Sequence, residues 1–106
     1  APGMLSRHYA PSTKLLLTDE VKSCLAQHAE KNIGLLLFKE EIDHPQVKHQ
    51  IILSKSGDMK EAAANLYQAL HQLDTKDIEL IIAEKFPTNG LGNTINDRLA
   101  RATKNK

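Results

Sequence analysis

Arg7, His8 and Tyr9 set a guanidinium, an imidazole and a phenol on three consecutive positions near the start of the chain. Together they suit a phosphate-bearing ligand. The guanidinium offers a planar fork of donors to phosphate oxygens. The imidazole donates or accepts near neutral pH, and the phenol packs on an apolar or base surface while its hydroxyl finds a polar partner. The residues around them favour an extended strap: Pro2-Gly3 punctuates the backbone, Pro11 pushes Ala10 out of the helical region, and no apolar period runs through the segment. Neighbouring side chains of an extended segment turn to opposite faces, so Arg7 and Tyr9 share one face and His8 takes the other. Two readings stay open for such a strap. It is either a terminus that docks on its own domain or a linker that lies on a second one.

A second place with possible chemistry is Gly90-Leu91-Gly92-Asn93-Thr94, where a glycine-rich crossover leads into a helix. Gly90, Gly92, Asn93 and Thr94 read as a structural turn or as a contact for an anion on exposed amides. A need for positive φ is one reason for a glycine at position 92. Ser56-Gly57-Asp58 also stands between a strand and a helix, but it lacks both the dinucleotide fingerprint and the phosphate-loop lysine, so helix capping explains it. His28 continues the apolar stripe of a helix and reads as a packing residue rather than a metal ligand. Glu40, Glu41, Asp43 and His44 crowd one loop without the spacing of a metal scaffold, and read as a solvated connection.

Charge and size narrow the classes. The chain has 106 residues, with 14 basic and 13 acidic side chains and a formal net charge of +1. That is one domain's worth of chain, without the basic excess of a nucleic-acid-binding surface, so no direct nucleic acid binding is expected. Apolar runs such as Leu15 to Leu17 and Ile33 to Phe38 fall far short of the roughly 20 residues that span a bilayer, and no membrane partner is expected. Cys24 is the one cysteine; it has no disulfide partner within the chain, which suits a reducing, cytoplasmic setting. The chain opens on Ala-Pro-Gly and its first methionine is Met4, as expected of a C-terminal piece of a longer protein.

The elements that must position these groups follow from the apolar periods. Lys14 to Leu17 reads as a strand, and Thr18, with Asp19 and Glu20, as the capped start of a helix whose inner stripe is Val21, Cys24, Leu25 and His28 and which ends near Asn32. Ile33 to Phe38 is continuously apolar, the mark of a strand covered on both faces. A polar loop, Lys39 to Val47, leads to a strand from His49 to Ser54. Asp58 and Glu61 stand at capping-box spacing before a helix that runs to about Thr75 with Ala62, Leu66, Ala69 and Leu70 inward. Ile78 to Glu84 is the fourth strand. A last helix is expected from Thr94 to about Thr103, with Thr94 and Asp97 as a capping box. The fold class is thus α/β: a small three-layer, Rossmann-like open sheet, mostly parallel, of about four strands with helices on both faces. The segment 39–47 lacks a crossover helix, so an antiparallel edge strand and the strand order stay open.

The order of motifs carries a family resemblance. Pro2-Gly3-Met4, then His8-Tyr9-Ala10-Pro11, resembles the interdomain linker of the two-domain form of threonylcarbamoyl-AMP synthase. Leu66-Tyr67-Gln68-Ala69-Leu70 with Leu73-Asp74 resembles the central helix of its C-terminal domain, and Gly90 to Ala102 its closing signature. The chain departs from the family at Leu5-Ser6, where Lys-Tyr is frequent. The resemblance implies that residues 1–13 are the linker and 14–106 an accessory C-terminal domain. It implies a parent nucleotidyltransferase that joins L-threonine, bicarbonate and ATP, with magnesium, into threonylcarbamoyl-AMP for tRNA threonylcarbamoyladenosine modification. The chemistry would sit on a YrdC-like catalytic domain absent from this chain, leaving no catalytic residue and no cofactor here. Arg7, His8 and Tyr9 would then contact substrate as part of a lid. The alternative is a free-standing nucleotide- or anion-binding α/β module that uses the turn at Gly90 to Thr94.

Overall fold

A computed structural model describes residues 11–74 and 77–104. Four strands, β1 (Lys14–Thr18), β2 (Ile33–Leu37), β3 (Val47–Ile52) and β4 (Leu80–Glu84), form one sheet in the order β1-β4-β2-β3. Three helices accompany them: α1 (Val21–Gln27), α2 (Met59–Asp74) and α3 (Leu91–Lys104). The two most apolar runs of the chain became the two central strands. All five residues of β2 are buried, as are the first four of β4, because helices cover both faces of the sheet there.

Alternation along the strands sorts the core into two layers. Ile33, Leu35, Leu37, Leu80 and Ile82 face α1 through Val21, Cys24 and Leu25. Leu15, Leu36, Ile81 and Ala83 face α2 and α3, which bring Leu66, Leu70, Ile95 and Leu99. Gly34 lies on that second face in the interior of β2. A Cβ at this position would stand 2.5 Å from Ile78 Cδ1 and 3.2 Å from Leu73 Cδ2, so the missing side chain lets these two pack against the strand.

All strand pairs are parallel, so the antiparallel edge left open above does not form. Segment 38–46 makes the parallel crossover without a helix. Gln50 of β3 holds it: its Oε1 accepts from Ile42 N at 2.9 Å and its Nε2 donates to Ile42 O at 3.0 Å. Ile42 packs on the α1-side core, where a crossover helix would otherwise lie. A register shift between Ile33 and Gly34 fits Lys48 into β3 and extends that strand back to Val47.

The helix ends differ from expectation in four places. Thr18 Oγ1 accepts from Glu20 N at 2.9 Å, a local turn ahead of α1 rather than a cap on it. Helix α1 stops at Gln27, and Asn32 joins the sheet end instead, donating N–H to Glu79 Oε1 and accepting from Glu79 N. Asp58 does cap α2 through Lys60 N, whereas Glu61 reaches Asp58 only through Ser54. Buried Ser54 Oγ accepts from Asp58 N at 2.8 Å and donates to Glu61 Oε1 at 2.5 Å. Helix α3 starts at Leu91, three positions before Thr94, so Thr94 and Asp97 form no capping box; Asp97 pairs along the helix with Arg101 at 3.2 Å.

Candidate functional site

Arg7, His8 and Tyr9 lie outside the described residues, which begin at Pro11. The first described residues, 11–13, are held firmly to the rest of the fold. Pro11 is buried, and the two residues after it are gripped by one carboxylate. Asp74 Oδ2 accepts from Ser12 N at 3.1 Å, while Asp74 Oδ1 accepts from Thr13 N and from Thr13 Oγ1, each at 2.9 Å. This anchor sits at the amino end of β1 and the carboxyl end of α2.

Gly90, Gly92, Asn93 and Thr94 occupy the other end of the sheet. One five-residue strand separates the two places, roughly 16 Å at about 3.3 Å per residue. Gly90 takes the left-handed conformation, φ 51°, directly before α3. Gly92 does not need positive φ. It lies in the first turn of α3, where a Cβ would come within 1.7 Å of Pro87 O, so the glycine is required by close backbone approach. Gly92 N donates to Asn89 O at 2.9 Å and Asn93 N to Gly90 O at 3.2 Å, bonds that commit these amides to the turn. Asn93 and Thr94 are exposed on the first turn of α3.

In open α/β sheets a ligand usually enters at the carboxyl ends of strands whose exits diverge. Here those strands are β4 and β2. Glu84 Oε1 accepts from Phe38 N at 2.9 Å across that gap, and the rings of Phe38 and Phe86 meet at a tilt of 50° with centroids 5.0 Å apart. Glu84 sets a like charge at the mouth, which disfavours a phosphate there, and the two phenyl rings offer it no donor.

The other clusters behave as structure. His28 Nδ1 lies 2.9 Å from Cys24 O and 4.0 Å from Cys24 Sγ, one helical turn away, and burial pushes the Cys24 thiol up from its ordinary value. Glu40, Glu41 and Asp43 are exposed, and His44 Nδ1 accepts from Gln46 N in a turn. Among the described residues no group of three His, Cys, Asp or Glu side chains is placed to hold a metal ion. No helix among them is long and apolar enough to cross a membrane.

Three polar residues that organise these ends were given no role of their own by the sequence: Asp74, Glu84 and Asn96. Asn96 Oδ1 accepts from Phe86 N at 2.8 Å and its Nδ2 donates to Phe86 O at 2.9 Å, tying the exit of β4 to α3. Only Asp74 carries a local signal. A carboxylate on the last turn of a helix faces the negative end of the dipole and so calls for an external donor.

The family model for the C-terminal domain of threonylcarbamoyl-AMP synthase matches residues 1–103. The chain is 28% identical to threonylcarbamoyl-AMP synthase of Bacillus subtilis (strain 168) over 96% of its own length and 31% of that protein. It is 30% identical to threonylcarbamoyl-AMP synthase of Pyrococcus abyssi over 97% of its length and 32% of that protein. It thus spans about a third of the length of these curated relatives. The crystal structure of the P. abyssi Sua5 protein complexed with L-threonine superposes with a TM-score of 0.75 at 30% identity, covering 98% of this chain and 32% of that one. A P. abyssi Sua5 variant with an adjacent histidine–tyrosine pair replaced by alanine gives 0.72 at 25% identity, covering 89% of this chain and 28% of that one.

Proposed function

The chain belongs to the family of threonylcarbamoyl-AMP synthase C-terminal domains, and from that membership we propose that it is the accessory, regulatory domain of such a synthase. The linker, residues 1–13, acts as a lid on a YrdC-like catalytic domain of the same protein. That parent joins L-threonine, bicarbonate and ATP into threonylcarbamoyl-AMP and releases pyrophosphate, for tRNA threonylcarbamoyladenosine modification in the cytoplasm. ATP and magnesium belong to the catalytic domain in this reading, and this domain supplies none of the reacting groups. The observation that carries it is the extent of the family match, which runs from residue 1 through the strap into the domain. The P. abyssi structure with L-threonine supports a threonine-using parent, and its histidine–tyrosine variant has a counterpart in type in His8-Tyr9, the one adjacent His-Tyr pair of this chain.

Replacing Arg7, His8 and Tyr9 together by alanine tests the lid. Pyrophosphate release by the full-length synthase, with threonine, bicarbonate and ATP present, should fall by about tenfold or more, the equivalent of roughly 1.4 kcal/mol of transition-state stabilisation. The unfolding midpoint of this chain should hardly change. Wild-type kinetics in the triple variant would reject the lid.

The free-standing anion-binding module has less support, because Glu84 lies across the mouth of the sheet and the amides of Gly92 and Asn93 are engaged. Isothermal titration of this chain with ATP and with pyrophosphate is expected to show no tight binding. Micromolar binding that Gly92 or Thr94 substitutions abolish would favour the module instead.

A further inference from the structure

We propose that Asn89-Gly90 is a site of spontaneous covalent modification, where Asn89 cyclises onto the Gly90 nitrogen and converts in water to aspartate and isoaspartate. Asn89 is the one asparagine of the chain that is followed by glycine. A side chain on the following residue crowds the attacking nitrogen, and glycine has none. The turn leaves both reacting groups accessible. Asn89 and Gly90 are exposed, and a Cβ on Gly90 would meet nothing within 4 Å. Among the described residues no hydrogen bond engages the Gly90 N–H or the Asn89 side-chain amide. Asn96 is the contrast: Phe86 takes both ends of its amide, and it lies inside α3, whose hydrogen-bond ladder fixes the backbone around it.

Water is the only co-reactant. Gly90 N loses its proton and bonds to Asn89 Cγ, closing a succinimide ring, while Nδ2 takes up a proton and leaves as ammonia. Water then opens the ring at either carbonyl. Attack at Cγ breaks the new N–Cγ bond and yields aspartate. Attack at the backbone carbonyl carbon breaks the original peptide bond, so the chain runs through Cγ as isoaspartate. Either product adds one negative charge and cancels the formal net charge of +1.

The two products differ in what they do to α3. Aspartate places its charge beside the positive end of that helix, where an anion is favoured. Isoaspartate inserts a methylene, about 1.5 Å of backbone. It also takes the Asn89 carbonyl, which accepts from Gly92 N at 2.9 Å, out of the main chain. Gly92 packs so closely that a Cβ there would stand 1.7 Å from Pro87 O, so the added length unseats the first turn of α3.

Incubating the protein at mildly alkaline pH, followed by peptide mapping and enzymatic methylation of isoaspartate, tests the site. Both products should accumulate at position 89 before any other asparagine converts, and Gly90→Ala should slow their formation. Isoaspartate arises only through the ring. Earlier conversion elsewhere, aspartate without isoaspartate, an unchanged rate in Gly90→Ala, or no conversion at position 89 would each overturn the proposal. Asn89→Asp should keep the parent unfolding midpoint, while the isoaspartate form should melt about 4 °C or more below it. Equal midpoints for these two forms would overturn the effect on α3.

Discussion

Gly92→Ala is expected to destabilise this domain by about 3 kcal/mol or more, although helix propensity alone argues the opposite sign. Gly92 lies inside α3 without positive φ, and alanine in a helix interior is favoured over glycine by about 1 kcal/mol. Sterics decide the outcome. The new Cβ would sit 1.7 Å from Pro87 O, a backbone atom with no rotamer by which to move away. Retreat of that carbonyl is blocked by the turn itself, through Asn89 N to Pro87 O at 3.0 Å and Gly92 N to Asn89 O at 2.9 Å. Overpacking of this kind shifts backbone and carries costs at the upper end of single substitutions. Gly90→Ala is the control. It keeps a left-handed φ of 51° but meets nothing within 4 Å, so its cost should stay near 1–2 kcal/mol. Urea unfolding of both variants reads the difference. If Gly90→Ala proves the more damaging, close approach is not what Gly92 provides.

The second large effect is expected at Asn96. Its amide satisfies both backbone groups of Phe86, just where the chain leaves the sheet and would otherwise strand a donor and an acceptor beside buried Phe86. Asn96→Ala removes both bonds at once, at a cost of about 2–3 kcal/mol. Asp97→Ala, one position on, breaks an exposed pair with Arg101 and should cost less than about 0.5 kcal/mol. Thermal unfolding of the two neighbours tests the contrast. Equal midpoints would mean that water replaces the Asn96 bonds without penalty.

Much of the fold was legible in the sequence because burial writes itself as period. The continuous apolar run at Ile33 marked a strand covered on both faces, and the stripe through Leu66 and Leu70 marked a helix with one buried face. Asp58 announced its helix because capping involves residues two or three apart. The end of α1 and the start of α3 were misplaced because those ends are closed by turns and by partners elsewhere in the chain. Asn32 looked like a helix terminator and instead meets Glu79, 47 positions away.

What the sequence alone determined was the class of fold, the two faces of the core and the family to which the motifs point. These depend on side-chain type and local spacing, which the chain carries with it. Tertiary structure decided the strand order β1-β4-β2-β3, the parallel run of β3 without a crossover helix, and the reason for glycine at position 92. It also brought Asp74 to Thr13 across 61 positions and Glu84 to Phe38 across 46. Such pairings join single polar groups far apart in the chain. No period or spacing encodes them, so they exist only once the strands have found their neighbours.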